Sequence, residues 1–462
     1  MKVYVASLGC KLNQSEIERF ARELSAAGHQ VVNDPSDSDT IILNTCTVTQ
    51  IAARKSCQLA RRLHRANANA QLVLTGCFAE TSPDKAAELP GVQRVIGNTE
   101  KDRLLELLGL STVRAKPVGQ VSIPAASQFD LSDMETRPTF LRTRALVKIQ
   151  DGCDNQCTYC VVRIARGLQR SRDKHEIIAE IHNRVRAGYK EIVLTGVHIG
   201  AYGRDQNQAA KTDLWDLVSA ILRETTVPRL RLSSIEPWDI SLQHLALWQN
   251  DRLCRHLHFP LQSGSDTVLS RMKRRYTTRE FADVVESARR MVPQIAITTD
   301  LIVGFPGETE HEFEETLRFV TEMQFSRAHI FPYSARAGTQ AADFPDQMSS
   351  EVKQNRARRL LEIARQGEQA FWRQFVGRTE TVLWETRRAQ VRPGCHSERS
   401  EESQEWSGLT DHYVRVTAQS PSELRNQIIP ARITGLAPGG LRGEVLTLPD
   451  RFELGVEKTN VP

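Results

Sequence analysis

The sequence predicts an α/β protein of three domains: an open parallel α/β sheet, a partial barrel of strand-helix units, and a small OB-like β-barrel. Three observations predict it. In the first part of the chain, short apolar runs alternate with amphipathic helical patterns, as in parallel sheets. In the middle, a strand-then-helix unit occurs six times. At the end, short strand patterns follow one another without helices.

The whole-chain properties favour a cytoplasmic enzyme. The chain has 462 residues, a length that suggests about three domains. It contains no run of 18 apolar residues, and it enters a strand pattern at once without a signal peptide, so we expect no membrane partner. Nine cysteines without an export signal favour a reducing compartment and argue against a disulfide framework.

The predicted N-terminal domain, residues 1–114, carries three cysteines in equivalent positions. Cys10, Cys46 and Cys77 each follow a short apolar run that predicts a buried parallel strand. Because ligands of such sheets lie at the carboxyl ends of the strands, we expect the three thiols to meet at one edge. Three thiolates can hold a 4Fe-4S cluster with one open iron. A single cysteine after a strand would more often be core packing, but three in the same structural position favour a cluster.

Residues 115–138 predict a linker, because they contain three prolines and few large apolar residues. The next domain, residues 139–375, contains six strand candidates separated by helical patterns. In parallel barrels the functional groups lie at the carboxyl ends of the strands. The strand candidates are residues 146–150, 191–195, 229–233, 257–261, 296–303 and 328–331.

A second set of cysteines follows the first of these strands. Cys153, Cys157 and Cys160 have the spacing C-x3-C-x2-C, which suits a second 4Fe-4S cluster whose open iron can bind a cofactor. Zinc is the alternative, but a structural zinc site needs a fourth ligand. The next cysteines along the chain are distant, and His175 fits no finger spacing.

Other segments are predicted to lie on the same rim of the barrel. Gly196 would permit close approach of the backbone to a ligand. We interpret His258 and His329, which alternate with apolar residues, as core or rim histidines rather than ligands. The candidate cofactor-binding residues on this rim are Thr195, Gly196, Val197, Ser233, Ser234, Glu236, Gln262 and Ser265.

The net charge is +5, and the excess of basic residues lies in the middle domain. Arg163, Arg166 and Arg170 follow the second cysteine set directly. A charge run is more often a solvated face than a binding site. The position of this one beside the predicted active site favours binding of nucleic-acid phosphates.

The predicted C-terminal domain spans residues 376–450 and has strand patterns at 379–384, 412–418, 427–435 and 441–448. Residues 387–404 are polar and of low complexity, which predicts a disordered insertion. Trp384, Trp406 and Tyr413 are either base-stacking platforms or buried core residues.

The motifs resemble those of the radical SAM methylthiotransferase family, where SAM is S-adenosylmethionine. The cluster loop is preceded by Ile149-Gln150-Asp151-Gly152 and followed by residues 161–167, as in that family. Leu8-Gly9-Cys10, Asn44-Thr45-Cys46 and Thr75-Gly76-Cys77 are similar to the motifs of its N-terminal domain. Gly377-Arg378-Thr379 and residues 408–411 and 431–434 resemble the RNA-binding TRAM domain.

The resemblance implies a radical SAM core with a partial (βα)6 barrel, a TRAM domain, two 4Fe-4S clusters and SAM. It implies that the Cys153, Cys157 and Cys160 cluster binds and cleaves SAM to start radical chemistry. The Cys10, Cys46 and Cys77 cluster would carry the sulfur. All six cysteines are therefore the candidate catalytic residues. A reducing electron donor and a sulfur donor are implied as partners, in addition to tRNA.

Within the family, residues 11–14 and 194–203 are most similar to the MtaB-like branch. That branch methylthiolates N6-threonylcarbamoyladenosine at tRNA position 37, 3′ of the anticodon, and Arg163, Arg166 and Arg170 would hold the anticodon loop. The alternatives are another tRNA adenosine, isopentenyladenosine, or a ribosomal protein side chain. A different class is an iron–sulfur electron carrier with an RNA-binding tail, and a zinc RNA-binding protein is a further alternative.

Overall fold

The computed structural model describes residues 1–110, 143–206, 212–388 and 404–446. The chain divides into two compact units, Met1–Phe371 and Trp372–Pro462. The first unit contains both the predicted N-terminal sheet and the predicted barrel. The linker predicted at 115–138 lies outside the described residues, as do residues 389–403 of the predicted insertion. Within the described ranges, the structure has no helix with the length and apolar character needed to cross a bilayer.

The N-terminal sheet is open and parallel, as predicted, with strand order β2-β1-β3-β4-β5. The central strand β3 is buried along its whole length. Ile42 faces one layer of helices, whereas Ile41 and Leu43 face the other, so each face of the sheet has its own apolar core. The strands are β1 (Lys2–Ser7), β2 (Gln30–Val31), β3 (Thr40–Thr45), β4 (Gln71–Gly76) and β5 (Val92–Ile96).

Helices cover both faces of this sheet. The first helix buries Ile17, Phe20 and Leu24, which recur at helical spacing and pack on one face. The second begins at the N-cap Thr49, whose hydroxyl accepts a hydrogen bond from Ala52 N. The helices are α1 (Lys11–Ala26), α2 (Gln50–Ala66), α3 (Cys77–Thr81), α4 (Pro83–Ala87) and α5 (Leu104–Leu107). Helix α1 begins directly after Cys10.

The middle domain has six parallel strands that follow one another in chain order, as predicted. The first three and the last three each form a hydrogen-bonded sheet. The bridges Leu230↔Leu253 and Ser234↔His258 join the two halves into a partial barrel. The strands are β6 (Arg144–Lys148), β9 (Glu191–Thr195), β10 (Arg229–Leu232), β11 (His256–His258), β12 (Ala296–Val303) and β13 (Arg327–Pro332), with a short antiparallel pair, β7 (Gln150–Asp151) and β8 (Arg170–Ser171).

The two faces of the barrel strands differ in polarity. Leu230, Leu232 and Leu301 belong to one large apolar cluster with the surrounding helices. The opposite face is polar: Arg231 and Glu191 form a fully buried ion pair of 2.7 Å. The helices are α6 (Val162–Arg166), α7 (Lys174–Arg186), α8 (Leu214–Glu224), α9 (Leu242–Leu245), α10 (Asp266–Arg271), α11 (Thr278–Met291), α12 (Glu310–Met323) and α13 (Ser350–Arg373).

The N-terminal sheet packs against the carboxyl rim of the barrel. The side chain of Arg336, beyond β13, donates to Thr47 Oγ1, and Gln50 N donates to Ser334 Oγ over 3.0 Å. The two contacts join the loop after β3 and the first residue of α2 to the loop after β13. The carboxyl ends of the two sheets therefore lie close together within the first compact unit.

The second unit contains a closed five-stranded barrel, as predicted, with strand order β14-β15-β16-β18-β17. One strand, β15, was missed by the sequence pattern because its centre is Gly408. A Cβ at Gly408 would lie 2.5 Å from Leu383 O, so the glycine permits close pairing with the neighbouring strand. The strands are β14 (Thr379–Arg388), β15 (Gln404–Thr410), β16 (Arg415–Ser420), β17 (Ile428–Ala437) and β18 (Gly440–Val445).

Two of the three aromatic residues for which base stacking and core packing were the alternatives lie in the core of this barrel. Trp384 and Trp406 are fully buried. They stabilise the barrel by apolar burial and cannot stack on bases in this conformation.

Candidate active site

The three N-terminal cysteines converge at the carboxyl edge of the first sheet. Cys10 is the N-cap of α1, Cys46 follows β3 and Cys77 begins α3 directly after β4. Gly9 has a φ of +107°, and a Cβ built on it would lie 2.7 Å from Cys46 Sγ. A glycine is therefore needed here to let the Cys10 segment approach Cys46.

The electrostatics of this set suit a bound cation. Burial, with smaller contributions from the nearby Cys10 and Cys77 thiolates, raises the pKa of Cys46 to about 11, while Arg166 opposes the rise. Three thiolates so close together need compensating positive charge, which a bound cluster supplies. The donor set therefore fits a 4Fe-4S cluster held by three cysteines.

Asparagines support this edge, a role that the sequence did not reveal. Asn13 Nδ2 donates to Leu8 O over 2.9 Å and to Thr45 O over 3.0 Å, so it ties the Cys10 segment to the Cys46 segment. Asn98 Nδ2 lies 3.8 Å from Cys77 Sγ and donates to Ala165 O. The only signal in the sequence is that Asn13 stands one helical turn after Cys10.

The second set lies in the loop between β7 and α6. Cys160 N donates to Cys157 O, and Cys153 N donates to Gly167 O, each over 3.1 Å. These bonds fold the loop so that the three thiols share one site. Burial first, and then the neighbouring thiolates, raise the pKa of Cys160 to about 12. This set also fits three thiolate ligands of one cluster.

Two cationic side chains flank the second set. Arg274 Nη1 lies 3.5 Å from Cys157 Sγ, and the guanidinium also pairs with Glu236. His198 Nε2 bonds Asp239 over 2.6 Å. Burial lowers the pKa of His198, but the bonds to Asp239 and Cys153 outweigh it and raise the pKa to about 9. Positive charge beside thiolates stabilises the ligand form of the loop.

Gln150 connects the cysteine loop to the next strand. Its Nε2 donates to Gly152 O over 2.7 Å, and its Oε1 accepts from Val197 N over 3.0 Å and from His198 N over 2.9 Å. A Cβ on Gly196 would lie 2.9 Å from Gln150 O. The close approach at Gly196 is thus to the protein's own chain, whereas the sequence suggested a ligand.

The candidate cofactor-binding residues differ in whether protein groups already occupy their polar atoms. The hydroxyls of Ser233 and Ser265 are buried and, among the described residues, have no hydrogen-bond partner. Buried hydroxyls without a partner fit a site whose cofactor supplies the missing bond. Glu236, by contrast, is ion-paired with Arg274. Thr195 is the last residue of β9, and Gly196 and Val197 follow it. Ser234 forms a β-bridge with His258, and Gln262 forms one with Leu301.

The three predicted RNA-binding arginines do not share one environment. Arg163 and Arg170 are exposed, whereas Arg166 is buried. The prediction that Arg166 holds tRNA is therefore wrong for this conformation, because its guanidinium is enclosed by protein partners. Its Nη1 donates to Glu16 over 2.9 Å and to Asp151 over 3.0 Å, and its Nη2 donates to Asn13 over 2.6 Å.

Arg166 belongs to a buried ion network that joins the two cysteine sets. Its acidic centre is Glu16 on α1, which also pairs with Lys101 over 2.7 Å and Lys148 over 3.6 Å. Burial alone would raise the pKa of Glu16, but these cations hold it well below its usual range. On the barrel side, Asp151, two residues before Cys153, forms an ion pair with Arg166. The network fixes the first cysteine segment against the second.

Two family models match this chain. Residues 147–320 match the radical SAM superfamily, and residues 2–97 match the uncharacterized protein family UPF0004. The first range extends from the end of β6 into α12, and the second covers the whole N-terminal sheet.

Relatives over most of the chain are tRNA-modifying enzymes. Threonylcarbamoyladenosine tRNA methylthiotransferase MtaB of Bacillus subtilis is 39% identical over 92% of this chain and 92% of its own. The Thermotoga maritima protein of the same name is 39% identical over 83% of this chain and 86% of its own. A tRNA-2-methylthio-N(6)-dimethylallyladenosine synthase of Ehrlichia canis is 32% identical over 96% of this chain and 99% of its own.

A solved structure shares the fold at low sequence identity. The radical S-adenosylmethionine methyltransferase TsrM of Kitasatospora setae aligns with a TM-score of 0.51 at 16% identity, over 74% of this chain and 75% of that chain. At this identity the likeness shows the fold alone.

The buried network predicts a large stability effect at Arg166. Arg166→Met removes a cation that is 2% exposed and leaves Glu16 and Asp151 with fewer partners. We expect the free energy of unfolding to fall by about 3–5 kcal/mol. Urea denaturation followed by tryptophan fluorescence measures it. The control is Arg163→Met on the same helix, where an exposed side chain should change stability by about 0.5 kcal/mol or less. Equal effects of the two substitutions would contradict the network.

Proposed function

The chain belongs to the MtaB-like radical SAM methylthiotransferases, and we propose that it converts N6-threonylcarbamoyladenosine at tRNA position 37, 3′ of the anticodon, to its 2-methylthio derivative. The observation that carries the proposal is the convergence of two three-cysteine sets in a chain 39% identical over 92% of its length to an enzyme named for that substrate. The dimethylallyladenosine synthases are the second candidate, but they are 32–33% identical.

SAM and iron–sulfur chemistry follow from the family, and the ligands and the number of clusters are part of the proposal. Cys153, Cys157 and Cys160 would hold a 4Fe-4S cluster whose open iron takes SAM, and Cys10, Cys46 and Cys77 would hold a second. When bound, these groups supply reductive cleavage of SAM and delivery of sulfur.

The protein's own residues would orient and enclose these groups. Gln150 holds the cysteine loop against residues 195–197, which we assign to SAM together with Ser233 and Ser265. Arg274 and His198 keep positive charge beside the thiolates of the second set. The network around Glu16 fixes the two sets at one distance, so that a substrate base can lie between them.

Each domain has a part in this proposal. Residues 1–114 would carry the auxiliary cluster, residues 139–375 the SAM chemistry, and residues 376–450 the contact to RNA through a TRAM-like barrel. A reducing electron donor and a sulfur donor would complete the reaction, in the cytoplasm. A base in an anticodon loop is recognised as an unpaired nucleotide, so it can enter a pocket between two clusters without melting a helix.

The two-cluster arrangement predicts iron stoichiometry. After anaerobic reconstitution we expect about eight irons per unmodified chain, because each three-cysteine set holds a 4Fe-4S cluster. Changing Cys10, Cys46 and Cys77 to Ala should leave about four irons, and so should changing Cys153, Cys157 and Cys160. Iron and acid-labile sulfide assays measure this. The matched control is Cys254→Ala, a buried cysteine outside both sets. Four irons in the unmodified chain would contradict the scheme.

The substrate assignment predicts one product. Incubation with SAM, a reductant, a sulfur source and tRNA carrying N6-threonylcarbamoyladenosine should give the 2-methylthio nucleoside, detected by mass spectrometry of digested tRNA. tRNA carrying dimethylallyladenosine is the comparison. Methylthiolation of that tRNA alone would establish the second candidate, and a product from neither would overturn the proposal.

The two exposed arginines beyond the cysteine loop predict salt-dependent tRNA binding. The double variant Arg163→Gln with Arg170→Gln should weaken tRNA binding. Each lost phosphate contact reduces the number of counterions that the RNA releases when the protein binds. The slope of log K against log salt should become less steep by about 0.7–0.9 per lost contact. Fluorescence anisotropy at several salt concentrations measures it. Arg223→Gln with Arg290→Gln, two exposed arginines on the outer helices α8 and α11, is the control and should leave the slope unchanged. The same slope in both double variants would count against this surface.

A further inference from the structure

The segment that follows β13, residues 333–342, contacts the first cysteine set, and we call it the β13 loop. The side chain of Arg336 donates from Nη2 to Thr47 Oγ1, and Thr47 directly follows Cys46 in the chain. Thr47 is inaccessible to solvent, so this contact lies inside the protein rather than on its surface. Arg336 therefore reaches from the barrel to the segment that carries the second cysteine of the first set.

The same loop is attached to the second cysteine set. Ala341 N donates to Thr158 O over 2.9 Å, and Thr158 lies in the loop that carries Cys157 and Cys160. The side chain of Ala341 is buried in an apolar cluster against which Tyr159 packs. Because the β13 loop is bonded to both cysteine-bearing segments, Arg336 lies where the N-terminal domain and the rim of the barrel meet.

The backbone around Arg336 is fixed by a tight turn. Arg336 O accepts hydrogen bonds from Thr339 N over 3.1 Å and from Thr339 Oγ1 over 2.7 Å. Within the turn, Gly338 has a φ of +80°, and a Cβ built on it would lie 3.1 Å from Ile164 Cδ1 of α6. Glycine adopts this left-handed conformation without strain and lets the turn approach α6 closely. The turn thus restricts the positions that the Arg336 side chain can take.

The guanidinium of Arg336 keeps a donor for which the protein supplies no acceptor. Its Nε is buried and, within the described ranges, has no hydrogen-bond partner. Burial lowers the pKa of Arg336, and the negative charge of the Cys46 thiolate opposes this change. A buried donor of a charged group that lacks a partner costs free energy, and a bound anion would remove that cost.

Arg336 differs in this respect from Arg166, which also acts on the first cysteine set. The guanidinium of Arg166 is neutralised by two carboxylates, Glu16 over 2.9 Å and Asp151 over 3.0 Å. The hydrogen-bond acceptor of Arg336 is the uncharged hydroxyl of Thr47. The charge of Arg336 is therefore available to an anion beside the first set, whereas that of Arg166 is already balanced.

We propose that Arg336 binds the hydrosulfide anion that the first cysteine set receives as the source of the transferred sulfur. This inference rests on the proposed function and deepens it. A guanidinium combines a permanent charge with a fork of N–H donors, which suits an anion. A small anion can also reach the buried Nε, whereas a backbone phosphate must bring the rest of its RNA strand with it. Arg336 is a positioning residue, because it holds the anion and exchanges no proton with it.

The test uses the full-length, cluster-reconstituted protein with an uncleavable SAM analogue in excess, so that the open iron assigned to the second set is occupied. Two probes are titrated, sodium sulfide as the anion and imidazole as an uncharged ligand. Each Kd is obtained from the change in the electron paramagnetic resonance spectrum of the reduced clusters. Changing Cys10, Cys46 and Cys77 to Ala should abolish the change that sulfide produces, which assigns it to the first set.

We expect Arg336→Gln to weaken hydrosulfide binding by about 10-fold or more, the size of one charge-assisted hydrogen bond. Imidazole carries no charge, so its Kd should stay close to that of the unmodified protein. Arg336→Lys keeps the charge without the fork of donors and should recover part of the hydrosulfide affinity. Iron content shows that each variant retains its clusters.

Arg289→Gln is the matched control. Arg289 is also a half-buried arginine that donates to an uncharged acceptor, Met323 O, but it lies on α11. This substitution should leave the Kd of both probes unchanged.

Three results would overturn the site. Equal weakening of hydrosulfide and imidazole binding in Arg336→Gln would mean that the contact to Thr47 only joins the domains. Unchanged hydrosulfide binding together with weaker tRNA binding would assign Arg336 to an RNA phosphate. A spectrum of the unmodified protein that does not respond to sulfide would show that the first set takes no such anion.

The product assay decides the proposed function separately. If the unmodified protein makes the 2-methylthio nucleoside and Arg336→Gln keeps its hydrosulfide affinity, the site is overturned and the proposed function stands. If hydrosulfide binding depends on Arg336 but neither tRNA is methylthiolated, the site is supported and the proposed function is overturned.

Discussion

The active region depends on one buried carboxylate, Glu16, and the three cations that neutralise it. Glu16 is inaccessible to solvent and pairs with Lys101, Lys148 and Arg166. Burying an ion costs several kcal/mol unless its partners are well placed, so this arrangement persists only when both domains are docked. Cys10 of the first set is the N-cap of the helix that carries Glu16, and the second set precedes the helix that carries Arg166. Neutralisation of the Glu16 carboxylate by cations of both domains therefore fixes the position of the two cysteine sets relative to each other.

Both cysteine sets lie at carboxyl ends of strands, as the parallel topology favours. In a parallel sheet, the loops that follow the strands all lie at the carboxyl edge. The loops at this edge of the N-terminal sheet contact those at the same edge of the barrel, for example where Arg336 donates to Thr47. The segments that carry cysteines directly follow buried strands such as β3, β4 and β7. Glycines at positions 9 and 152 allow the loops to approach one another and the β8 region closely. Sites built on such rigid supports hold reactive groups at a reproducible distance.

The two faces of the barrel strands differ in polarity. The outer face of its strands supplies the apolar core, while the inner face carries the buried pair Arg231–Glu191 and the more accessible pair His258–Asp300. Buried ion pairs contribute little net stability and are retained where they define a specific arrangement. The interior of the barrel is therefore closed to solvent at Arg231–Glu191 and more accessible at His258–Asp300.

The sequence by itself determined the parallel N-terminal sheet, the six barrel strands and the C-terminal barrel, because strand periodicity is a local property. It also showed that cysteines follow four of the predicted strands. It did not determine β15, where Gly408 weakens the strand pattern, or the start of α1 at Lys11. It also grouped Arg166 with the RNA-binding arginines, because a short basic run in a sequence does not show which of its side chains are buried. The partner of Arg166 is 150 residues away in Glu16, and Gln150 and Arg274 likewise find partners far along the chain. Only the tertiary structure decides such contacts, because the free energy of a buried charge depends on which distant groups surround it.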